Sequence, residues 1–215
     1  MRPATAMIAV LLAGAAGASI AGPTGQPPVR EWQFQVLLDG KEVGWHRWVV
    51  RGDGEATEVE SRASFDVRFL FLNAYRYRHE ARERWHGACL DELEARTETN
   101  GDVEEVAAAS LGDGLMVASP SGDARLPGCV MSFAYWNPRI LGATRLLNSQ
   151  TGEWLPVRVT DLGSEPVSVS GRKVTATRHR LTAPGLAIDL WYTGDRWVAL
   201  EAPTPGGRTL RYELR

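Results

Sequence analysis

Cysteine is almost missing from this sequence: Cys89 and Cys129 are the two in 215 residues. Two cysteines without a neighbouring histidine make a poor zinc site. No unbroken apolar run reaches the roughly 20 residues that a membrane-spanning helix needs; the longest is Ala6 to Ala18 and is rich in Ala and Gly. The motifs of covalent and cofactor chemistry are lacking too: no nucleophile elbow, no zinc-binding histidine pair, no Gly-rich phosphate loop and no cysteine–histidine nucleophile. Nor is there an excess of charge of one sign. With 24 basic and 26 acidic residues, the chain carries no electrostatic footprint for nucleic acid or anionic lipid.

What is there begins with an export signal. Arg2, the apolar run, and Ser19 and Ala21 at the -3 and -1 positions predict a signal peptide over residues 1–21, cleaved after Ala21. Removing 21 of 215 residues leaves 194, enough for one domain with a sizeable core, and a net charge near -3. Gly22 and not cysteine stands directly after the cleavage position, so the expected product is periplasmic or secreted and not a lipoprotein. In an exported chain an even cysteine count favours one disulfide over two free thiols or a metal pair. Residues 22–30, with Gly22, Pro23, Gly25, Pro27 and Pro28, read as a flexible lead-in to a single β domain over 31–215.

The chain is organised around Phe65 to Trp85, FDVRFLFLNAYRYRHEARERW. Period 2 places Phe65, Val67, Phe69 and Phe71 on one side of a strand, and Tyr75, Tyr77, His79, Ala81 and Trp85 on one side of the next. Read as a hairpin turning at Asn73 and Ala74, these set two aromatic rows side by side, as a core or as the wall of a cavity.

Asp39-Gly40 and Asn100-Gly101 are two-residue hairpin signals. Between them, a loop over Gly87 to Cys89 places Arg84 opposite Glu92, Arg82 opposite Glu94, Glu80 opposite Arg96 and Arg78 opposite Glu98. Four opposite-charge pairs in one register read RYRHEARER as a solvated sheet face rather than a basic patch for an anionic ligand. Further short strands, separated by Gly112-Asp113-Gly114, Ser121-Gly122, Gly163, Gly171, Pro184-Gly185 and Gly194-Asp195, run to the C-terminus. Cys129 to Leu147 breaks the pattern: Val130, Phe133, Ala134, Trp136, Ile140 and Leu141 fit helical spacing, with Ser132 as cap and Pro138 as break. The predicted fold is therefore mainly β: a strongly curved antiparallel meander, an incomplete barrel, with one short helix covering its concave face and tethered through the cysteines.

At FDVRFLFLNAYRYRHE, PGCVMSFAYWNP, LLNSQTGE, Val169 to Arg172 and IDLWYTGD the chain resembles a family of exported bacterial proteins known only as a domain of unknown function. Its C-terminal half is also similar to a larger periplasmic family of unknown function, whose architecture resembles the lipoprotein-carrier half-barrel with a helix in its concave face. The resemblance implies an incomplete barrel with an apolar interior and a lipid-like ligand, and carries over no catalytic residue.

Ligand-cavity candidates are Phe65, Phe69, Phe71, Tyr75, Tyr77, His79, Trp85, Phe133, Trp136 and Trp191. The eight tryptophans can pack a core or line a groove for a lipid, a sugar or a hydrophobic segment of another protein. Three functions follow: a non-catalytic periplasmic binding or carrier module for an apolar small molecule or lipid; an envelope assembly factor acting through protein contacts; and a hydrolase or isomerase using His79 or His46 as base. No metal or cofactor is expected.

Overall fold

The structure, a computed structural model, describes residues 27–215 apart from 53, 70, 71 and 205. The predicted signal peptide and most of the lead-in lie outside the described residues. The described residues run through fifteen strands: β1 Val29–Leu38, β2 Lys41–Gly52, β3 Ala56–Phe69, β4 Leu72–His86, β5 Cys89–Thr99, β6 Asp102–Leu111, β7 Gly114–Ala118, β8 Ala124–Pro127, β9 Arg145–Leu147, β10 Trp154–Pro156, β11 Arg158–Val169, β12 Arg172–Ala183, β13 Leu186–Thr193, β14 Arg196–Pro203 and β15 Thr209–Leu214.

Thirteen of these form one antiparallel sheet in the order β11-β12-β13-β14-β15-β1-β2-β3-β4-β5-β6-β7-β8. It does not close: β11 and β8 are its edges. The first and last strands meet in its middle, with Phe34 opposite Leu214 and Leu38 opposite Leu210.

Turn chemistry sets much of the register. Asp39 and Gly40 have φ of 51° and 78°, and Asn100 and Gly101 of 55° and 101°. Positive φ at both central residues is the tight turn whose twist matches the flanking strands, and Asp-Gly and Asn-Gly reach it at least cost. The predicted charge register of β4 and β5 holds: Arg78, Glu80, Arg82 and Arg84 face Glu98, Arg96, Glu94 and Glu92. Arg84 pairs with Glu92, while Arg78 reaches Asp66 at 2.8 Å and Arg96 reaches Glu105 at 2.8 Å.

The reversal between β3 and β4 falls earlier than Asn73-Ala74, since Phe69 already faces Leu72 and Arg68 faces Asn73. Phe65 faces Tyr77, and their rings stack 5.1 Å apart. The aromatic pair fixes the register, and a bulge between Val67 and Arg68 absorbs the difference. Another bulge explains why Gly163 does not end its strand: β11 continues through Asp161 and Ser164, with the Gly163 amide on Asp161 Oδ1 at 2.7 Å.

The predicted helix over 130–141 is replaced by a strap, extended as far as Ser132 and then folded in tight turns, and the described residues contain no α-helix, only one 3-10 turn at Pro138–Gly142. Two physical reasons account for the difference. Val130, Ser132, Ala134 and Trp136 are buried and alternate with part-exposed Met131, Phe133 and Tyr135, which is period 2 and not 3.6. The strap's backbone also finds sheet-like partners: the Leu90 amide donates to Val130 O at 2.8 Å, and the Leu147 amide to Met131 O at 2.8 Å. It returns as the β9–β10 hairpin and lies against the inner face of the sheet, anchored by a Cys89–Cys129 disulfide.

The core is aromatic. Trp197, fully buried, lies 4.2 Å from Phe34 and 4.9 Å from Trp48 between ring centroids, and its carbonyl accepts from Trp32 Nε1 at 3.0 Å. Strand β13 is buried on both sides. Ile188, Leu190 and Tyr192 face the strap, and Asp189 and Trp191 the other side. No helix among the described residues is long and apolar enough to cross a membrane.

Candidate functional site

Between the inner face of β2–β4 and the strap lies a cleft of about 240 Å³. Its walls combine His46 and Trp48 from β2, Ser61 from β3, Tyr77, His79 and Glu83 from β4, Ser132 to Trp136 from the strap, and Ile188, Leu200 and Tyr212 from the C-terminal strands. Alternation explains the convergence: the residues of β4 at odd positions from Tyr75 to Trp85 all point inward, as do Ser61, Ala63 and Phe65 of β3.

The polar groups are partnered in two clusters. His46 Nε2 is 2.8 Å from Ser61 Oγ and its Nδ1 is 3.2 Å from Tyr212 Oη. With hydrogen on Nδ1, the ring donates to Tyr212 and accepts from Ser61; the other tautomer reverses both. The ring lies on Trp48, centroids 3.4 Å apart. His79, 6.5 Å away between ring centroids, holds its Nδ1 on Thr97 Oγ1 at 2.9 Å. In the second cluster Glu83 accepts from Ser132 Oγ on the strap and from Trp85 Nε1, each at 2.9 Å.

Burial sets the charge state. It holds the His46 pKa well below the ordinary imidazole value, helped by His79, and lowers His79 to about 4. The same desolvation raises Glu83, against the pull of its two donors, and raises Tyr77, Tyr135 and Tyr212. At neutral pH both imidazoles and the phenols are therefore uncharged. Among the described residues no group of three or more His, Cys, Asp or Glu side chains gathers as a metal site.

Of the residues singled out from sequence, Tyr77, His79, Phe133 and Trp136 line the cleft. Phe65 stacks on Tyr77 beside it, and Tyr75, 37% exposed, continues the ring stack to the rim. Trp85 is packed edge-on to Trp136, centroids 5.5 Å apart. Trp191 is on the opposite side of the sheet, where its Nε1 donates to Glu165 at 2.8 Å and its ring sits near Arg178 and Arg211. Phe71 and the Phe69 side chain lie outside the described residues. Sequence reasoning missed Ser61, Glu83 and Tyr212. Glu83 was readable, since it occupies an inward position in the Tyr77–Trp85 row; Ser61 shares a face with Phe65 in the same way.

An open, rolled antiparallel sheet with a strap in its concavity defines a β-barrel-like protein. The fold is similar to that of a solved structure described as a beta-barrel-like protein of domain of unknown function DUF1849 from Brucella abortus, with a TM-score of 0.65, 10% identity, and coverage of 88% of this chain and 96% of that one. Residues 34–215 match the family described as a domain of unknown function, DUF6134, and the chain belongs to it. No curated protein matches.

Proposed function

We propose that this chain is an exported binding module of the cell envelope that holds a small, largely apolar ligand in the cleft between β2–β4 and the strap. The observation that carries the reading is the cleft itself. The strap covers the concave face yet leaves about 240 Å³ beside Trp48, Tyr77, Phe133 and Ile188. Natural small-molecule sites are mostly apolar concavities with a few placed polar groups, and occupy about 300 Å³ or more. The cleft falls just under that range, so its ligand is a small molecule or one short arm of a lipid, not a whole lipid. Export is supported by the predicted signal peptide and by a Cys89–Cys129 disulfide, which persists in oxidising compartments.

Native mass spectrometry of the protein purified from an exported preparation, followed by organic extraction, tests this. A reproducible bound mass is expected. A protein that remains free of ligand, and binds none when offered extracts of the same envelope, would overturn the reading. A protein-contact role has its own observation, the unpaired outer edges of β8 and β11. A partner recovered by crosslinking through those two strands would favour it.

A further inference from the structure

We propose that Ser61 is a nucleophile and that the ligand class of this cleft is a carboxylic ester of a small acid, which the site cleaves through an acyl-serine. The inference rests on the cleft being a ligand site, and adds chemistry to it. A serine hydroxyl is weakly nucleophilic unless a base lies within about 2.6–3.2 Å and is itself oriented by a third group. Ser61 Oγ, His46 Nε2 at 2.8 Å and Tyr212 Oη at 3.2 Å from Nδ1 supply that series, and all three line the same cleft. Trp48 lies flat against the imidazole and limits its rotation. Burial keeps His46 unprotonated and so able to accept at neutral pH.

A place for the developing oxyanion lies across the cleft. His79 binds Thr97 through Nδ1, and its Nε2 has no hydrogen-bond partner among the described residues. With the Thr97 hydroxyl donating, Nε2 carries the hydrogen and can donate to a carbonyl oxygen held between the two imidazoles. In the first half-reaction Ser61 Oγ bonds to the ester carbonyl carbon and its proton passes to His46 Nε2. The carbon–oxygen bond to the alcohol then breaks, and the imidazolium protonates the departing alkoxide. Water repeats the sequence: it adds to the acyl carbon, gives its proton to His46, and Ser61 leaves with that proton as the free acid departs. Tyr212 is a positioning residue.

The test treats the purified protein with a short-chain alkyl fluorophosphonate and maps the label by peptide mass spectrometry, alongside hydrolysis of p-nitrophenyl acetate. One label per chain at Ser61 is expected. It should be absent in Ser61→Ala, and in His46→Gln labelling should slow by about 10²-fold or more, the usual contribution of a general base. Tyr212→Phe should move the acid limb of the labelling rate to lower pH, because the imidazolium loses an acceptor; a packing role alone would leave that limb in place. The wild-type map needs no variant to fold. No label at Ser61, or label on another residue, overturns the proposal. A protein that carries an extractable ligand yet takes no label keeps the binding reading and sinks this one. Ser61 labelled in a protein that retains no ligand supports the nucleophile and removes stable binding instead.

Discussion

His46 lies flat on Trp48, two residues away on the same face of β2, with ring centroids 3.4 Å apart and planes inclined by 23°. The indole fills one side of the imidazole, and Ser61 and Tyr212 take its two nitrogens. Trp48 thus serves the core and the cleft at once. Trp48→Ala should cost about 3–5 kcal/mol, the usual loss for a buried aromatic. Thermal unfolding checks the expectation; a change of a few degrees or less would show that the neighbouring rings collapse into the space.

The two histidines give the protein an acid-sensitive interior. Between pH 6.5 and 4 the unfolded chain takes up a proton at each that the native chain, with His79 lowered to about 4 and His46 held well below its ordinary value, does not. Stability therefore falls as pH drops through that window, by about 3 kcal/mol for His79 alone over its full extent. Glu83 works the other way. Its raised pKa means that the native chain protonates first, so it gains stability as pH falls toward the usual carboxylate range. In denaturant titrations from pH 7 to 5 the wild type should lose stability, and Glu83→Gln should lose it more steeply. Equal slopes would show that Glu83 stays ionised.

Opening the disulfide should loosen the strap without unrolling the sheet. Closing a loop of 40 residues is worth about 3–4 kcal/mol, so Cys89→Ser should lower the melting temperature by about 10 °C for a chain of this size. Hydrogen exchange should accelerate at Leu90 and Leu147, whose amides are held by the strap. Exchange unchanged at those two amides would show that the Glu83–Ser132 contact and the β9–β10 hairpin hold the strap by themselves.

The two faces of the sheet can be separated by substitution. Trp191→Phe removes the bond to Glu165 and weakens the contacts with Arg178 and Arg211, a loss of about 1–2 kcal/mol. Being across the sheet from the cleft, it should leave ligand retention unchanged. Tyr77→Ala, on the cleft side, should reduce the retained mass. Comparing both variants by native mass spectrometry checks the assignment of faces.

Legibility in the sequence followed how local the determinant was. Asp39-Gly40, Asn100-Gly101 and the Arg84–Glu92 register depend on residues near one another in the chain, and each was readable. The strap departs from its sequence pattern: Val130 to Leu141 satisfies a helical spacing in isolation, and what overrides it is the backbone of Leu90 and Leu147, which no local pattern announces. The site was half legible. Tyr77 and His79 stood out as an aromatic face, and Glu83 belonged to the same row. The partnership of His46 with Tyr212 joins residues 166 positions apart, which periodicity cannot reveal. Trp191 lies across β13 from the cleft, and the cover that tells the sides apart, Glu165 on β11, comes from 26 positions away, beyond any local pattern.

The pairing of β1 with β15 has a consequence for how the molecule comes into being. Each meander, β1 to β8 and β11 to β15, is built from neighbours in sequence and can zip up locally, but the two become one sheet only at a seam where Phe34 meets Leu214. Contacts of such long sequence separation form slowly because loop-closure entropy must be met first. Until then β1 and β15 are bare edges and Tyr212 is not yet beside His46. Assembly of the cleft thus waits on that seam, so a nascent chain carries no finished site.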